Sequence, residues 1–212
     1  MAAAGSGERL GAGGPKAFVP VGGRPMIEWS IDAFRASDSV RSIVVAAPPG
    51  HTDEIAGEGI EVVAGGAMRA QSVANALAAV ETEYVAIHDA ARPLLTPELV
   101  EALVADLVAD PEAAGVIAAA PVTDTIKRGS GQIMETVDRS ELWAAQTPQV
   151  FRTDALRQAL AAAERPEEAT DEAMLVERAG GTVLIHPVEG QNLKVTTPLD
   201  LRVAELLLQS RR

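Results

Sequence analysis

The chain contains no cysteine, and this absence excludes several kinds of site. Disulfide bonds, thiolate zinc sites and cysteine nucleophiles all require a thiol. The sequence also has no apolar run long enough to cross a bilayer, and its first residues do not combine a basic segment with an apolar one as a signal peptide does. We therefore expect a soluble, cytoplasmic protein with no membrane partner.

An excess of positive charge is absent as well. The 212 residues include 18 Lys and Arg against 30 Asp and Glu, which gives a formal net charge of −12. Nucleic acids and anionic membranes select basic surfaces, so neither is an expected partner. Hydrophobic residues make up 47% of the chain, which is enough to bury the core of one α/β domain. An anion site in such a protein must be built locally from a few cations.

Residues 3–16 form a loop that concentrates glycine beside two cations. Glycine lets the backbone adopt conformations closed to other residues and bring its N–H groups close to an anion. The glycines of this loop are Gly5, Gly7, Gly11, Gly13 and Gly14. Arg9 and Lys16 add positive charge suited to a phosphoryl group in transfer. The segment therefore predicts a polyphosphate-binding loop, the alternative being a surface loop whose cations only maintain solubility.

Two familiar phosphate-binding motifs are missing from this loop. Gly5-Ser6-Gly7 is not followed by the third glycine of the dinucleotide-binding fingerprint. Residues 13–16, Gly-Gly-Pro-Lys, lack the Ser or Thr that follows the lysine of a Walker loop. A nicotinamide-dependent Rossmann oxidoreductase is therefore disfavoured, although it remains an alternative.

Apolar segments alternate with helical patterns along the first half of the chain. Strands are predicted at residues 42–47, 60–64, 84–88 and 115–121, with helices between them. This alternation predicts a single α/β domain over residues 1–212 with a doubly wound, mostly parallel, Rossmann-like sheet. Residues 1–4 stand where the first strand should be, but strands usually have about five or six residues. They are either a stub or the end of a strand that starts further upstream.

Candidate ligand-binding residues lie at the ends of two predicted strands. Gly65 and Gly66 open a helix, where free amides favour electron-rich ligands, although such turns also require glycine for steric reasons. Asp89 follows a strand at the carboxyl edge of the sheet. Its carboxylate is a candidate either to accept a hydrogen bond from a ribose hydroxyl or to hold Mg²⁺ directly or through water. His88 lies inside the apolar strand, and we expect it to be a hydrogen-bonded core residue.

The second half of the chain begins with a different pattern. Residues 125–135 alternate apolar and polar side chains about Gly129-Ser130-Gly131, which predicts a β-hairpin. A two-stranded hairpin is marginally stable alone, so we expect an arm, residues 123–142, that packs on a second subunit. The alternative is an arm folded back on its own domain.

Three local signals predict helix ends further along the chain. Thr153 is expected to cap a helix, and Pro198 is expected to open the last one. A helix beginning at Asp171 is expected to end at Gly180.

An ordered series of short motifs resembles the 2-C-methyl-D-erythritol 4-phosphate cytidylyltransferase family. The motifs are residues 3–9, Pro15-Lys16, Gly65-Gly66 with Arg69 and Ser72, residues 88–93, residues 121–125, residues 137–139, Leu142-Trp143, residues 146–149, residues 170–172 and residues 192–196. Each motif is short, but their joint order covers essentially the whole chain. Ala17 and Ala67 depart from the polar and acidic residues common at these positions in the family.

The resemblance implies a reaction in which CTP and 2-C-methyl-D-erythritol 4-phosphate give the diphosphocytidyl product and pyrophosphate, with Mg²⁺, in the non-mevalonate route to isoprenoid precursors. It implies that Arg9 and Lys16 stabilise the transition state and that Arg139 and Lys194 position the substrate phosphate. It implies CTP binding by Ala3, Ala4, Gly5, Gly7, Gly65, Gly66, Ser72, Asp89 and Ala90. It implies substrate binding by Arg92, Thr125, Arg139, Thr147 and Lys194, and a homodimer whose arm reaches the partner's site.

The chemistry of this reaction agrees with the composition. The attacking phosphate oxygen is already ionised at neutral pH, so no general base is needed from the three histidines. A cytidylyltransferase for a pentitol phosphate such as ribitol 5-phosphate would use the same CTP loop and remains an alternative. A nucleotide-binding homologue without activity is another.

Overall fold

The computed structural model describes residues 1–5, 7, 10, 14–55, 57–189 and 192–211. The predicted catalytic Arg9 lies outside the described residues. The helices are α1 (Met26–Arg35), α2 (Arg69–Leu77), α3 (Pro97–Ala109), α4 (Thr153–Ala162), α5 (Glu172–Arg178) and α6 (Pro198–Gln209). The strands are β1 (Pro20–Val21), β2 (Arg24–Pro25), β3 (Ile43–Ala47), β4 (Ile60–Ala64), β5 (Tyr84–Ile87), β6 (Ala113–Pro121), β7 (Ile126–Gly129), β8 (Ile133–Val137), β9 (Trp143–Arg152) and β10 (Thr182–Pro187).

The main sheet is mixed, because one of its strands runs antiparallel to its neighbours. Strands β3 and β4 pair in parallel, as do β6 and β10. Strand β9 lies between β5 and β6 and runs antiparallel to both, so β5 and β6 point the same way. Ala2 bridges Ala46 of β3 and Asp89 just after β5, both in parallel. The four predicted strands are confirmed. The prediction of a mostly parallel sheet missed β9, which is antiparallel to both of its neighbours.

Helices cover both faces of the sheet and bury its apolar side chains. On one face, α1 and α3 pack on the sheet through residues such as Phe34, Leu103 and Leu107. On the other face, α2, α4 and α5 pack around Phe151, which is fully buried. This two-sided cover leaves the carboxyl ends of the strands as the place where loops can form a site.

The predicted hairpin is present as strands β7 and β8, which pair antiparallel from Ile126 to Val137. Its surface is strongly exposed, and the exposed fractions of Ile133 and Met134 are 69% and 80%. Because consecutive residues of a strand point to opposite faces, each face of the hairpin exposes one of these apolar side chains.

Most of the predicted helix ends are confirmed. The Asp171 side chain accepts a hydrogen bond from the Met174 N–H, and Gly180 follows α5 with φ of +85°. Pro198 opens α6 after the Thr197 cap. The cap predicted at Thr153 is wrong, because Thr153 is the first residue of α4 and Arg152 takes the cap position. Arg152 is also the last residue of β9, so the strand runs directly into the helix, and no side chain caps its first turn.

Among the described residues, no helix combines the length and the apolarity needed to cross a membrane.

Candidate functional site

A cleft of about 510 Å³ lies where the loop that begins at Ala3 faces the start of α2. Its lining residues are Ala2, Ala3, Ala4, Gly5, Gly7, Leu10, Lys16, Ala17, Gly66, Ala67, Met68, Arg69, Ser72, Asp89, Ala90, Ala91, Lys194 and Thr196. Three cations and one carboxylate are therefore gathered in one concave surface of an acidic protein. Such a surface suits an anionic ligand that also carries a metal ion.

Asp89 is the central carboxylate of the cleft. Its Oδ2 accepts a hydrogen bond from Lys194 Nζ at 2.6 Å, and its Oδ1 accepts one from Arg69 Nε at 3.1 Å. Burial opposes ionisation of this side chain, but the two cations outweigh that effect and hold the pKa of Asp89 well below its usual range. The carboxylate is therefore charged throughout the physiological range.

Arg69 links Asp89 to a second, more deeply buried carboxylate. Its Nη1 donates to Glu172 Oε1 at 2.6 Å, and only 1% of the Glu172 side chain is exposed. Burial raises the pKa of Glu172 despite the charge of Arg69, whereas both carboxylates raise the pKa of Arg69 against the effect of its own burial. Removing one partner from a buried pair of this kind strands the other charge. Glu172 therefore fixes the position of Arg69 at the cleft wall.

A network of buried hydrogen bonds holds the backbone around Asp89. The Asp89 N–H donates to Thr147 Oγ1 at 3.0 Å, and Thr147 Oγ1 also lies 3.2 Å from His88 Nδ1. Arg92 Nη1 donates to the Asn192 carbonyl at 2.7 Å, and Asn192 Nδ2 donates to the Thr147 carbonyl. Arg92 and Thr147 are both buried and do not line the cleft. The contacts of these two predicted substrate residues hold the cleft floor together, and their contact with substrate stays a prediction.

The expectation that His88 is a core residue is confirmed. Its ring is fully buried, with Nε2 at 3.3 Å from both Ser30 Oγ and the Arg92 carbonyl. Burial lowers the pKa of His88 from 6.5 to about 3, so the imidazole is neutral near pH 7.

His88 should make the stability of the fold depend on pH. Because its folded pKa lies below its unfolded pKa, its contribution is complete above about pH 6.5 and is lost as the pH falls toward 3. Between pH 6.5 and 4.5 we expect the free energy of unfolding to fall by about 2 kcal/mol from this group. Urea unfolding of the wild type and of His88→Gln across this range measures the effect. Equal pH slopes in the two proteins would contradict it.

The glycine loop reaches the cleft through close backbone contacts. Gly7 has φ of +73°, and a Cβ there would lie 3.1 Å from Lys16 Cβ. The Lys16 N–H donates to the Gly5 carbonyl at 3.1 Å, which closes the loop on itself. Only glycine tolerates this conformation easily, so the turn can place Lys16 in the lining of the cleft.

The second glycine turn contains Gly65 and Gly66. Its sequence left two explanations open, a ligand-binding turn and a steric need for glycine, and the structure shows features of both. Gly65 does not line the cleft, and a Cβ there would meet Ala4 Cβ at 2.5 Å, so its role in the structure is steric. Gly66 and Ser72 do line the cleft, and Ser72 Oγ accepts a hydrogen bond from the Gly66 N–H at 3.0 Å. The turn is thereby fixed against the first turn of α2.

Two predicted substrate residues lie away from the cleft of their own chain. Thr125 and Arg139 are exposed at the base of the arm, and the Arg139 guanidinium donates to the Thr123 carbonyl. Neither of them lines the cleft that holds Lys16 and Lys194.

Comparison with known proteins identifies the family of this chain. A sequence model of the family described as "IspD: 2-C-methyl-D-erythritol 4-phosphate cytidylyltransferase" matches residues 1–210. The chain belongs to this family.

Similar proteins match over nearly the whole chain. The 2-C-methyl-D-erythritol 4-phosphate cytidylyltransferase of Frankia casuarinae is 47% identical over 213 residues, covering 97% of this chain and 79% of that protein. The enzyme of the same name from Nocardia farcinica is 46% identical, covering 99% of this chain and 92% of that protein. The crystal structure of the Thermus thermophilus enzyme superposes with a TM-score of 0.81 at 39% identity, covering 93% of this chain and 95% of that one.

Membership of the cytidylyltransferase family raises the question of whether the cleft suits Mg²⁺. Within the described residues, no group of three or more His, Asp or Glu side chains is arranged to hold a metal ion alone. Asp89 offers one ionised carboxylate at the cleft floor. Mg²⁺ commonly binds through one or two carboxylates together with water and substrate phosphates. The cleft therefore fits a magnesium ion that arrives with a nucleotide.

The structure adds Arg69 and Glu172 to the site of this cytidylyltransferase. Both lie in motifs that carried the family resemblance, but neither was assigned a role from the sequence. They are 103 residues apart, so no local spacing could pair them. Glutamate is common in the first turn of helices, so the sequence position of Glu172 gave no signal that its carboxylate is buried.

Proposed function

We propose that this protein transfers CMP from CTP to 2-C-methyl-D-erythritol 4-phosphate, giving 4-diphosphocytidyl-2-C-methyl-D-erythritol and pyrophosphate for isoprenoid precursor biosynthesis. One observation carries the proposal beyond family membership. The Asp89 carboxylate is held between Arg69 and Lys194 in the same cleft that Lys16 enters from the glycine loop. This arrangement supplies cations for two phosphorylated substrates and a carboxylate for the metal ion of a nucleotide.

The bond changes place charge where these residues lie. A phosphate oxygen of the acceptor attacks the α-phosphorus of CTP, the bond from that phosphorus to the β-phosphate oxygen breaks, and pyrophosphate leaves. Charge builds up on the α-phosphate oxygens, and preorganised cations stabilise it. We assign this role to Lys16 and to Arg9 of the same loop. Mg²⁺, held by Asp89 directly or through water, would neutralise phosphate charge when bound.

We assign the acceptor phosphate to Lys194 in the cleft and to Arg139 on the arm. Because Arg139 does not line the cleft of its own chain, the assignment is consistent only if the arm reaches another chain. A homodimer with exchanged arms meets that condition and would also cover the exposed Ile133 and Met134. We propose that residues 1–212 form one nucleotidyltransferase unit whose dimerisation arm is residues 123–142.

Pyrophosphate release measures the proposed activity directly. The assay contains CTP, Mg²⁺ and one acceptor at a time, either 2-C-methyl-D-erythritol 4-phosphate or ribitol 5-phosphate. We expect rapid release with the first acceptor and at least about tenfold slower release with the second, since a hydrogen-bonding site discriminates strongly between polyols. Faster release with ribitol 5-phosphate would reassign the substrate, and no release with either would overturn the enzymatic proposal.

Asp89→Asn should weaken binding of the magnesium nucleotide while the fold survives. The variant removes the charge that would hold Mg²⁺ but keeps a side chain of the same shape, so we expect roughly tenfold weaker binding of CTP in the presence of Mg²⁺. Calorimetric titrations with Mg²⁺ and with EDTA separate the metal-dependent part. Asp154→Asn, at an exposed position on α4, is the matched control. Wild-type affinity of Asp89→Asn under both conditions would remove Asp89 from the metal site.

A further inference from the structure

The Asp89 carboxylate carries one cation on each of its two oxygen atoms. Arg69 Nε donates to Oδ1 at 3.1 Å, and Lys194 Nζ donates to Oδ2 at 2.6 Å. Only 10% of the Asp89 side chain is exposed, so few directions of approach to the carboxylate remain. A magnesium ion at Asp89, or a water molecule that the ion carries, would share an oxygen with one of these side chains. Two cations at one oxygen repel each other, so the metal ion and one of the two side chains compete for Asp89.

Arg69 is the cation that is held firmly. Its Nη1 donates to Glu172 Oε1 at 2.6 Å, and only 1% of the Glu172 side chain is exposed. The first turn of α5, which carries Glu172, is itself fixed to β9. Gln149 Nε2 donates to Asp171 Oδ2 at 2.8 Å, and Gln149 Oε1 accepts a hydrogen bond from the Ala173 N–H at 3.3 Å. A guanidinium that bridges two carboxylates in this way is costly to move, because each carboxylate would lose its cation.

Lys194 is held less firmly. Among the described residues, Asp89 is the one side chain that accepts a hydrogen bond from its ammonium group, and 41% of the Lys194 side chain is exposed. The backbone beside it is fixed, because the N–H of the fully buried Val195 donates to the Ala91 carbonyl at 2.8 Å. A lysine has a flexible four-carbon stem and a charge without a fixed geometry. The ammonium group can therefore leave Asp89 while the backbone of the cleft stays in place.

The acceptor phosphate is a stronger partner for this ammonium group than the carboxylate is. A phosphate monoester carries about 1.5 to 2 negative charges near pH 7, whereas the carboxylate of Asp89 carries one. When Lys194 pairs with the phosphate, Oδ2 of Asp89 loses its cation and can accept the metal ion. A metal ion at Asp89 in turn neutralises a carboxylate that would otherwise repel the phosphate.

We propose that Lys194 is an exchangeable partner of Asp89, and that its transfer to the acceptor phosphate opens Oδ2 to the magnesium ion of CTP. The inference rests on the proposed function, which places the acceptor phosphate at Lys194 and the metal ion at Asp89. Arg69, fixed by Glu172, holds the carboxylate in position during the exchange. The binding of magnesium nucleotide and the binding of acceptor are therefore positively coupled, because each removes an interaction that hinders the other.

Removing the ammonium group should strengthen the effect of Mg²⁺ on CTP binding, although the cleft then contains one cation fewer. Calorimetric titrations of CTP without acceptor, in EDTA and in Mg²⁺, give this effect as the ratio of the two dissociation constants. We expect the ratio to rise at least about fivefold in Lys194→Met. Arg165→Met is the control, because it lowers the net charge equally at an exposed position outside the cleft and should leave the ratio unchanged.

A double-mutant cycle identifies Asp89 as the group for which Lys194 competes. In an Asp89→Asn background, Lys194→Met should leave the ratio of the two dissociation constants unchanged, since the charged oxygen is already absent.

The coupling itself is measured with the wild type and a CTP analogue that has a methylene group between its α and β phosphates. This analogue cannot transfer CMP, because the bond that breaks in the reaction is replaced by a phosphorus–carbon bond. In Mg²⁺ we expect saturating 2-C-methyl-D-erythritol 4-phosphate to tighten binding of the analogue at least about fivefold. In EDTA the acceptor should change its affinity by less than about twofold, since no metal ion is available to replace Lys194.

Three results would overturn the proposal. An unchanged or smaller ratio in Lys194→Met would show that Lys194 does not compete with the metal ion, and an equal rise in the Asp89→Asn background would show that it acts at another group. Equal affinity for the analogue with and without acceptor in Mg²⁺ would show that the two ligands bind independently. None of these titrations measures turnover, so failure here is distinguishable from failure of the proposed function in the pyrophosphate assay.

Discussion

Lys16→Ala should lower kcat by about 10²–10³ while the protein stays folded, because it removes one preorganised cation from the α-phosphate in transfer. Lys16 lines the cleft, and its backbone is fixed by the hydrogen bond to the Gly5 carbonyl. The loss corresponds to roughly 2–4 kcal/mol of transition-state stabilisation. Since the charge matters most in the transition state, the KM for CTP should change much less than kcat.

Steady-state kinetics at saturating CTP and acceptor measure this effect. Arg165→Ala is the control, because Arg165 is an exposed cation that lies outside the cleft and the arm and pairs with Glu168. Lys16→Arg tests whether charge alone is sufficient, since a guanidinium differs from an ammonium in shape and hydration. An unchanged kcat in Lys16→Ala would return this lysine to the solubility role considered for the loop.

The parts of the fold with strong local signals could be predicted from the sequence. Strands β3, β4 and β5 are short apolar runs bounded by turn residues, and each was predicted to within one residue of its bounds. Helix α3, which follows β5, carries a Thr96 cap and a first-turn proline. These signals depend on neighbouring residues alone, so they can be read without knowledge of the tertiary structure.

Strand β9 could not be predicted in the same way. Its first half is mostly exposed, its second half is buried, and it contains Pro148 together with polar residues such as Gln149. Proline within a strand argues against a central position, and polar residues argue against burial. Its burial comes from pairing with β5 on one side and β6 on the other, which are separated from it by tens of residues.

The residues of the candidate site fall into the same two groups, those with a local sequence signal and those that depend on distant partners. Asp89 was predicted from its place after a strand, and Lys16 from its place beside glycines, because both signals are local. The pair of Arg69 with Glu172 depends on a helix from another part of the chain. The roles of Arg92 and Thr147 in holding the cleft floor also depend on distant partners, above all Asn192. Local patterns therefore located the cleft, whereas tertiary contacts determined which side chains hold it in shape.

Mixing two inactive variants should restore activity if the arm serves the neighbouring subunit. Lys16→Ala damages the cleft of its own chain, and Arg139→Ala damages the arm. In a dimer with exchanged arms, one composite site of the mixed dimer receives both lesions and the other receives neither. Random pairing makes about half of the dimers mixed, so about a quarter of wild-type activity should return.

The experiment dissociates and reassociates the two variants and measures pyrophosphate release against each parent alone. Lys16→Ala mixed with Lys194→Ala is the matched control, because both residues line the same cleft of one chain and every mixed site keeps one lesion. Native mass spectrometry of subunits with different tags confirms that mixed dimers have formed. If they form and remain as inactive as their parents, Arg139 acts within its own chain, and the arm does not contribute to the neighbouring site. If activity returns only in the first mixture, Arg139 acts on the partner's substrate, and neither subunit contains a complete site.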